Sequence, residues 1–283
     1  MNPSIAITLG DPLGIGSEIV AKALQKKSIK NLAHWKIFGT SYDPSLSQKK
    51  AGFLSWDALN LAVTSIKKGE CQALVTAPVS KTHLQLVGFP FPGQTEFLAH
   101  AFNTKQFAMM LAGPTLKVVL TTIHLPLAKV PKAITTALVL EKIKITHDSL
   151  KKWFGKSKPK IAVCGLNPHA GENGLFGNEE KLIILPAIRQ AQKKGIKVTG
   201  PLPADTVFFE ARCGKYDAVI AHYHDQGLGP LKTLHFDEGV NITLGLPILR
   251  TSPDHGCAFD IAGKNKANIQ SIMEAIRLAV QSA

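Results

Sequence analysis

Short, apolar, β-branched segments recur along this chain, each followed by glycine or proline and then by a stretch with helical spacing. That alternation constrains the fold more than any other feature. Strands that are apolar at nearly every position need cover on both faces, and helices between strands supply it. The chain therefore predicts an α/β protein with a mostly parallel sheet. Strands are expected at Ile5–Leu9, Lys36–Phe38, Ala73–Thr76, Phe107–Leu111, Lys117–Thr121, Lys160–Cys164, Asp217–Ala221 and Asn241–Leu244. Helices are expected at Gly16–Gln25, Trp56–Lys67, Thr95–Phe102, Pro131–Trp153, Glu179–Lys194, Asp205–Arg212 and Ala267–Gln281. In the last, Ile269, Ile272, Met273 and Ile276 form one stripe. Asn178 before Glu179 and Glu180 reads as a helix start, the acids suiting the helix dipole.

The 283 residues suffice for about two domains at ~150 residues each. There is no internal repeat and no low-complexity linker. No apolar run reaches the ~18 residues a membrane span needs. The first residues read as strand and turn rather than as a signal peptide. Cys71, Cys164, Cys213 and Cys257 are scattered without a CxxC pair, which argues against a disulfide scaffold or thiolate zinc cluster and for the cytoplasm. The net charge of +13 comes from 29 lysines and only four arginines, with few aromatics among the lysine runs. Nucleic-acid surfaces favour arginine and stacking aromatics, so the expectation is solvated helix faces and no nucleic-acid partner.

Ligands of open α/β sheets bind beyond the carboxyl ends of the strands, where this chain concentrates its glycine and proline. The Gly10–Gly16 loop is neither a Walker A loop nor GxGxxG, and on spacing alone a tight turn is at least as good a reading as a phosphate cradle. Any dinucleotide would need an architecture other than the Rossmann fold. His124, His169 and His224 each lie just past an expected strand. Three converging imidazoles would hold a zinc-like ion with a fourth position open. For three residues in equivalent positions, that reading and the plain loop reading are level. His222 and His255 are lesser candidates; His34, His83, His100, His147 and His235 read as surface or helix residues. There is no GxSxG elbow, and Glu179-Glu180 reads as a dipole partner rather than an acid pair. Lys232 and Arg250 suit a phosphate or carboxylate.

The strings Gly-Asp-Pro-Leu-Gly-Ile-Gly (10–16), Leu-Val-Thr-Ala-Pro-Val-Ser-Lys (74–81), Pro-Gly-Gln-Thr-Glu-Phe-Leu (92–98), Thr-Thr-Ile-His-Leu-Pro-Leu (121–127), Cys-Gly-Leu-Asn-Pro-His-Ala-Gly-Glu (164–172), Gly-Pro-Leu-Pro-Ala-Asp-Thr (200–206), Tyr-His-Asp-Gln-Gly (223–227) and Gly-Val-Asn-Ile-Thr-Leu-Gly-Leu-Pro (239–247) resemble the 4-hydroxythreonine-4-phosphate dehydrogenase (PdxA) family. The resemblance implies two α/β/α domains of the isocitrate/isopropylmalate dehydrogenase type, not Rossmann, with a cleft between them. The expected boundaries are 1–96 with 261–283 for the first domain, shortened near 40–52, and 97–260 for the second. It further implies NAD(P)-dependent oxidation of 4-phosphooxy-L-threonine with decarboxylation to 3-amino-2-oxopropyl phosphate, a step towards pyridoxal 5′-phosphate. A divalent metal (zinc, magnesium or cobalt) would be held by His124, His169 and His224, in an active site shared across a homodimer. Substrate contacts fall on Gln94, Thr95, Lys232, Asn241 and Arg250, Gln94 standing where the family has histidine. Asp225 is a candidate catalytic residue. A related dehydrogenase of 4-phospho-D-threonate or 4-phospho-D-erythronate is the neighbouring reading.

Overall fold

The computed structural model describes residues 2–283. Its principal elements, in chain order, are β1 (Ser4–Thr8), α1 (Gly16–Gln25), α2 (Lys27–Lys30), β2 (His34–Phe38), α3 (Gln48–Lys67), β3 (Ala73–Thr76), α4 (Lys81–Gln85), α5 (Gln94–Ala101), β4 (Ala108–Ala112), β5 (Lys117–Leu120), α6 (Val130–Ala133), α7 (Thr136–Phe154), β6 (Ile161–Cys164), α8 (Leu185–Lys193), β7 (Val198–Leu202), α9 (Ala204–Arg212), β8 (Ala218–Ala221), α10 (His224–His235), β9 (Val240–Leu244), β10 (Leu249–Pro253) and α11 (Gln270–Gln281). Among the described residues no helix is long and apolar enough to cross a membrane. The chain divides into two compact units, 2–105 with Val240–Ala283, and Gln106–Gly239. Residues 97–105 and 240–260, expected from the sequence in the second domain, therefore pack with the first.

In the first unit the strand order is β2-β1-β3-β10-β9. β2, β1, β3 and β10 run parallel, and β9 is antiparallel to β10. Ile5, Ile7, Leu74 and Val75 on the inner strands are fully buried. The helix α3 packs on β1, and α11 on β10 and β3. The second unit has the order β4-β5-β8-β6-β7, parallel from β5 onward, with β4 antiparallel to β5. Leu120, Val118, Val219 and Ala162 from its strands pack with Val207 and Phe208 of α9 and Leu228 and Leu231 of α10 in one buried cluster. This is the α/β class that the strand–helix alternation implies.

Five elements escape the sequence pattern: the short helices α2 and α4, and β7, β10 and α10. β7 contains Gly200 and Pro201 and lies at the sheet edge, where a missing N–H is tolerated. The polar or proline residues Arg250, Thr251, Ser252 and Pro253 of β10 are buried all the same. α10 carries Gly227, Gly229 and Pro230 and so reads as a loop. Gly227 is required there: a Cβ would stand 2.7 Å from Val118 Cγ1 and 2.8 Å from Leu120 Cδ2, so only glycine lets this helix lie close on β5. The expected Pro131–Trp153 helix is two helices, because Ile134 is extended and Thr135 starts α7 afresh, its hydroxyl accepting from the Leu138 N–H. α3 begins at Gln48 rather than Trp56, with Ser47 as its cap.

Candidate active site

The first unit builds a cationic site around β10. Arg250 is only 4% exposed. Its Nε and Nη2 both donate to Thr76 Oγ1, at 3.1 and 2.6 Å. Nη1 donates to Thr243 Oγ1 at 3.2 Å, and Nη2 also to Gln94 Oε1 at 3.3 Å. These acceptors are neutral. Burial pushes the guanidinium pKa down to about 10, with the field of Glu96 opposing, so the group remains a cation at neutral pH. A buried cation held by neutral oxygens keeps its affinity for a carboxylate or phosphate.

Gln94 opens α5 and is locked at both ends, its Nε2 donating to the Ala77 carbonyl at 3.2 Å while its Oε1 faces Arg250. Thr95 beside it is buried. Asn241 on β9 has a buried Oδ1 that makes no hydrogen bond. Such an orphan costs about 1–3 kcal/mol, a penalty that a ligand's donor would lift. Thr76 and Thr243 are missed by the sequence reading, because nothing distinguishes a strand threonine that holds an arginine from one that only packs.

The structure bears on both readings of the Gly10–Gly16 loop. Four of its amides are already bonded: Asp11 N–H to the Pro78 carbonyl, Leu13 N–H to Asp11 Oδ1, Gly14 N–H to the Asp11 carbonyl and Ile15 N–H to the Cys257 carbonyl. A Cβ on Gly16 would lie 2.1 Å from the Leu9 carbonyl oxygen. These bonds and the close approach of Gly16 favour the packing turn over the phosphate cradle. The other oxygen of Asp11 meets His83 Nδ1 at 2.8 Å, and His83 is a buried helix residue rather than a surface one.

The second unit brings two of the three strand-end histidines together. His124 follows β5, and His224 opens α10 directly after β8. Their ring centroids are 5.7 Å apart. Two imidazoles bound tetrahedrally to one ion at 2.0–2.1 Å would have centroids about 5 Å apart, so this pair fits as two ligands of a zinc-sized ion. His224 Nδ1–H donates to Asp225 Oδ1 at 2.6 Å, which leaves the Nε2 lone pair for a metal. Both rings line a cavity of about 300 Å³ with Ile123, Leu125, Leu127, Val130 and Tyr223.

His169 does not join them. Among the described residues no group of three His, Cys, Asp or Glu side chains could hold an ion. His169 sits in the turn Pro168–Gly174, where residues 169–173 all have positive φ, from 41° to 82°. Four of those five are not glycine, and each costs roughly 1–2 kcal/mol in that conformation, so the surroundings must impose it. The ring lies against Phe176. Leu175 is 73% exposed, and Phe176, Leu125 and Leu127 are exposed as well, so apolar surface flanks both halves of the histidine set.

The lesser candidates lie elsewhere. His222 is fully buried; its Nε2–H donates to the Cys164 carbonyl at 2.8 Å, and Nδ1 accepts from the Thr121 hydroxyl at 3.3 Å. Burial lowers its pKa to about 4, against the raising effects of the Cys164 bond and Glu180, so it is neutral. His255 is exposed in the first unit, its Nδ1 against the Gly256 carbonyl. Lys232 projects from α10 with its Nζ 5.8 Å from the centroid of the Phe236 ring.

Comparison with known proteins adds a family. The model described as "Pyridoxal phosphate biosynthetic protein PdxA" matches residues 11–279. A protein of Oceanobacillus iheyensis provisionally named D-threonate 4-phosphate dehydrogenase is 41% identical over 99% of this chain and 98% of its own length. The 4-hydroxythreonine-4-phosphate dehydrogenase of Geobacter metallireducens is 41% identical over 99% of this chain and 96% of its own. Both alignments extend over about forty positions more than this chain supplies, 326 and 325 against 283 residues. The crystal structure of 4-hydroxythreonine-4-phosphate dehydrogenase from Klebsiella pneumoniae superposes with a TM-score of 0.90 at 36% identity, covering 100% of this chain and 99% of that one. Isocitrate dehydrogenase from Methylococcus capsulatus, 16% identical with a TM-score of 0.52 over 97% of this chain and 84% of that one, shares the fold alone.

Proposed function

This chain belongs to the PdxA family of dehydrogenases, and from that premise we propose that it oxidises 4-phosphooxy-L-threonine with NAD+ or NADP+. The hydroxyl-bearing carbon gives its hydride to the nicotinamide and its O–H proton to solvent or a base. The resulting β-keto acid loses its carboxylate as carbon dioxide, takes up a proton and becomes 3-amino-2-oxopropyl phosphate, a precursor in pyridoxal 5′-phosphate synthesis. The observation that carries this reading is the facing pair His124 and His224, the latter fixed by Asp225 with Nε2 left to bind.

His124 and His224 would hold a divalent ion, zinc, magnesium or cobalt, which would supply Lewis acidity for oxidation of the hydroxyl and for the decarboxylation that follows. The protein's own groups do the rest. Arg250 offers a planar fork to a phosphate or carboxylate, already aligned by Thr76, Thr243 and Gln94. Asn241 Oδ1 accepts from a substrate N–H or O–H, and Thr95, buried beside Gln94 in the same unit, is a further substrate contact. Asp225 serves as the orienting carboxylate of His224 rather than as the base.

The third ligand is His169 of a second copy, so the working enzyme is a homodimer with a shared site. Two observations support this: His169 stays apart from the other two histidines within one chain, and exposed apolar residues flank both. The four unpaired thiols support a cytoplasmic setting.

A second reading, oxidation of 4-phospho-D-threonate or 4-phospho-D-erythronate, is favoured by Gln94 in place of the family histidine and by the Oceanobacillus relative. NAD(P)H formation on each of the three substrates, with and without added divalent ions, separates the readings. We expect turnover on 4-phosphooxy-L-threonine that chelator abolishes. Undiminished turnover after chelation counts against the metal, and preference for a phospho-sugar acid selects the second reading.

A further inference from the structure

Behind the three loops that bear His124, His169 and His224 lies a set of buried polar side chains that the reaction itself does not use. The sequence places Glu180 beside an Asn178 helix start, where its charge suits the helix dipole. In the structure the Asn178 carbonyl accepts the Leu182 N–H at 2.8 Å, and the segment Glu180–Ile184 that follows is a π-helical turn in which Glu180 is buried. Glu180 is 5% exposed. Its Oε1 accepts the Leu166 and Asn167 N–H groups, each at 2.7 Å, and its Oε2 accepts Asn167 Nδ2 at 3.0 Å. A Cβ on Gly171, inside the left-handed turn, would stand 2.6 Å from Oε2. Glu180 thus grips the entry to the His169 turn and lies close against its middle at Gly171. Burial alone would raise its pKa, but the hydrogen bonds from Asn167 and Leu166 outweigh that and hold it below the ordinary carboxylate range.

His222 performs the same office for the other two loops. Its ring bridges the end of β6, through the Cys164 carbonyl, and the residue after β5, through Thr121. Its own backbone carbonyl accepts the Thr122 hydroxyl at 2.7 Å, two residues before His124. Its N–H donates to Gln226 Oε1 at 2.7 Å, and Gln226 Nε2 donates to the Gly165 carbonyl at 2.8 Å. The ends of β5, β6 and β8 are thereby tied together by side chains whose polar groups are satisfied, the condition under which a buried network rigidifies its surroundings.

We propose that Glu180 and His222 are positioning residues of the metal centre: they hold the three histidine loops in ligating geometry without touching the ion. The inference rests on the proposed metal site. Outer partners of metal ligands are typically worth about 10–100-fold in metal affinity.

The test measures cobalt and zinc binding by chelator competition, and the visible spectrum of the cobalt protein, for wild type, Glu180→Ala, Glu180→Gln, Glu180→Asp, His222→Phe and His222→Gln. Circular dichroism and thermal melts report the fold of each. We expect Glu180→Ala and His222→Phe to weaken metal binding at least tenfold and to alter the cobalt spectrum while the protein stays folded. Glu180→Gln, which keeps an oxygen acceptor for the two amides, should recover much of the affinity. A folded Glu180→Ala or His222→Phe protein with wild-type affinity and spectrum overturns the inference. Should either fail to fold, Glu180→Asp, whose shorter side chain withdraws the carboxylate from the Leu166 and Asn167 amides, and His222→Gln decide it: if both leave affinity and spectrum unchanged alongside a lowered melting temperature, the residues are structural only. A wild-type protein that takes no metal would instead overturn the metal reading beneath it.

Discussion

Arg250 finds three neutral oxygen partners within its own unit, whereas among the described residues no third ligand joins His124 and His224 within theirs. The contrast follows from charge. A guanidinium is permanently ionised, so one that is buried must be hydrogen-bonded in the free chain or it destabilises the fold by several kcal/mol. An imidazole is neutral near pH 7 and can stand at a surface at little cost until an ion and a second subunit arrive. The first cluster is complete when the chain has folded; the second, on the reading proposed above, is complete only after assembly.

The sharpest way to break that contrast is subunit mixing. His169→Ala and His224→Ala should each abolish activity, a loss of roughly 10³-fold or more when Lewis acidity worth several kcal/mol is removed. If the metal site is shared, equal amounts of the two variants, allowed to exchange subunits, regain about a quarter of wild-type activity, since half the dimers are mixed and one of their two sites is intact. Arg250→Ala mixed with Asn241→Ala should regain none, because both residues serve one chain's cluster. No recovery for the histidine pair would place all three ligands in one chain.

A smaller effect sharpens the other side. Arg250→Lys keeps the charge but loses the fork bonded to Thr76, Thr243 and Gln94. Charge-assisted bonds of this kind are worth about 1.5–3 kcal/mol, so KM for the phospho-acid should rise roughly 10–100-fold with a smaller change in kcat. Steady-state kinetics check it. A fall in kcat at constant KM would mean that the arginine acts in the transition state rather than in holding substrate.

How far these clusters could be read beforehand depends on what each signal is made of. Strands β3, β5 and β8 announce themselves through unbroken apolar runs, and His124 and His224 through their places just beyond β5 and β8. α10 hides behind Gly227, Gly229 and Pro230, because the close helix–sheet packing that demands glycine is a tertiary fact. Glu180 and Thr76 were illegible for a related reason. Their partners are main-chain amides and a guanidinium far along the chain, and no local spacing records such a bond. The Gly10–Gly16 loop offered two readings that spacing could not separate, and the bonded amides favour the turn.

Gly16→Ala should cost about 1–3 kcal/mol of stability, since its Cβ would overlap the Leu9 carbonyl, as overpacking does elsewhere. Denaturant titration would show a lower midpoint, with KM for the nucleotide unchanged in the folded protein. A raised nucleotide KM at unaltered stability would restore the cradle reading for the first unit.

The smallest effect concerns Glu180. Its pKa in the folded chain lies below its ordinary value because Asn167 and Leu166 donate to the carboxylate more than burial penalises it. The unfolded chain, with a glutamate pKa of about 4.3, therefore binds the proton more readily than the folded one. The stabilisation is fully present above that value and is lost as pH falls through the lower folded value. Glu180→Gln carries no such proton equilibrium, so its urea midpoint should fall less steeply than that of wild type between pH 5 and pH 3. Parallel acid limbs for the two proteins would mean that the His169 turn is not held by an ionised Glu180. The second cluster would then lack the fixed half that its assembly requires.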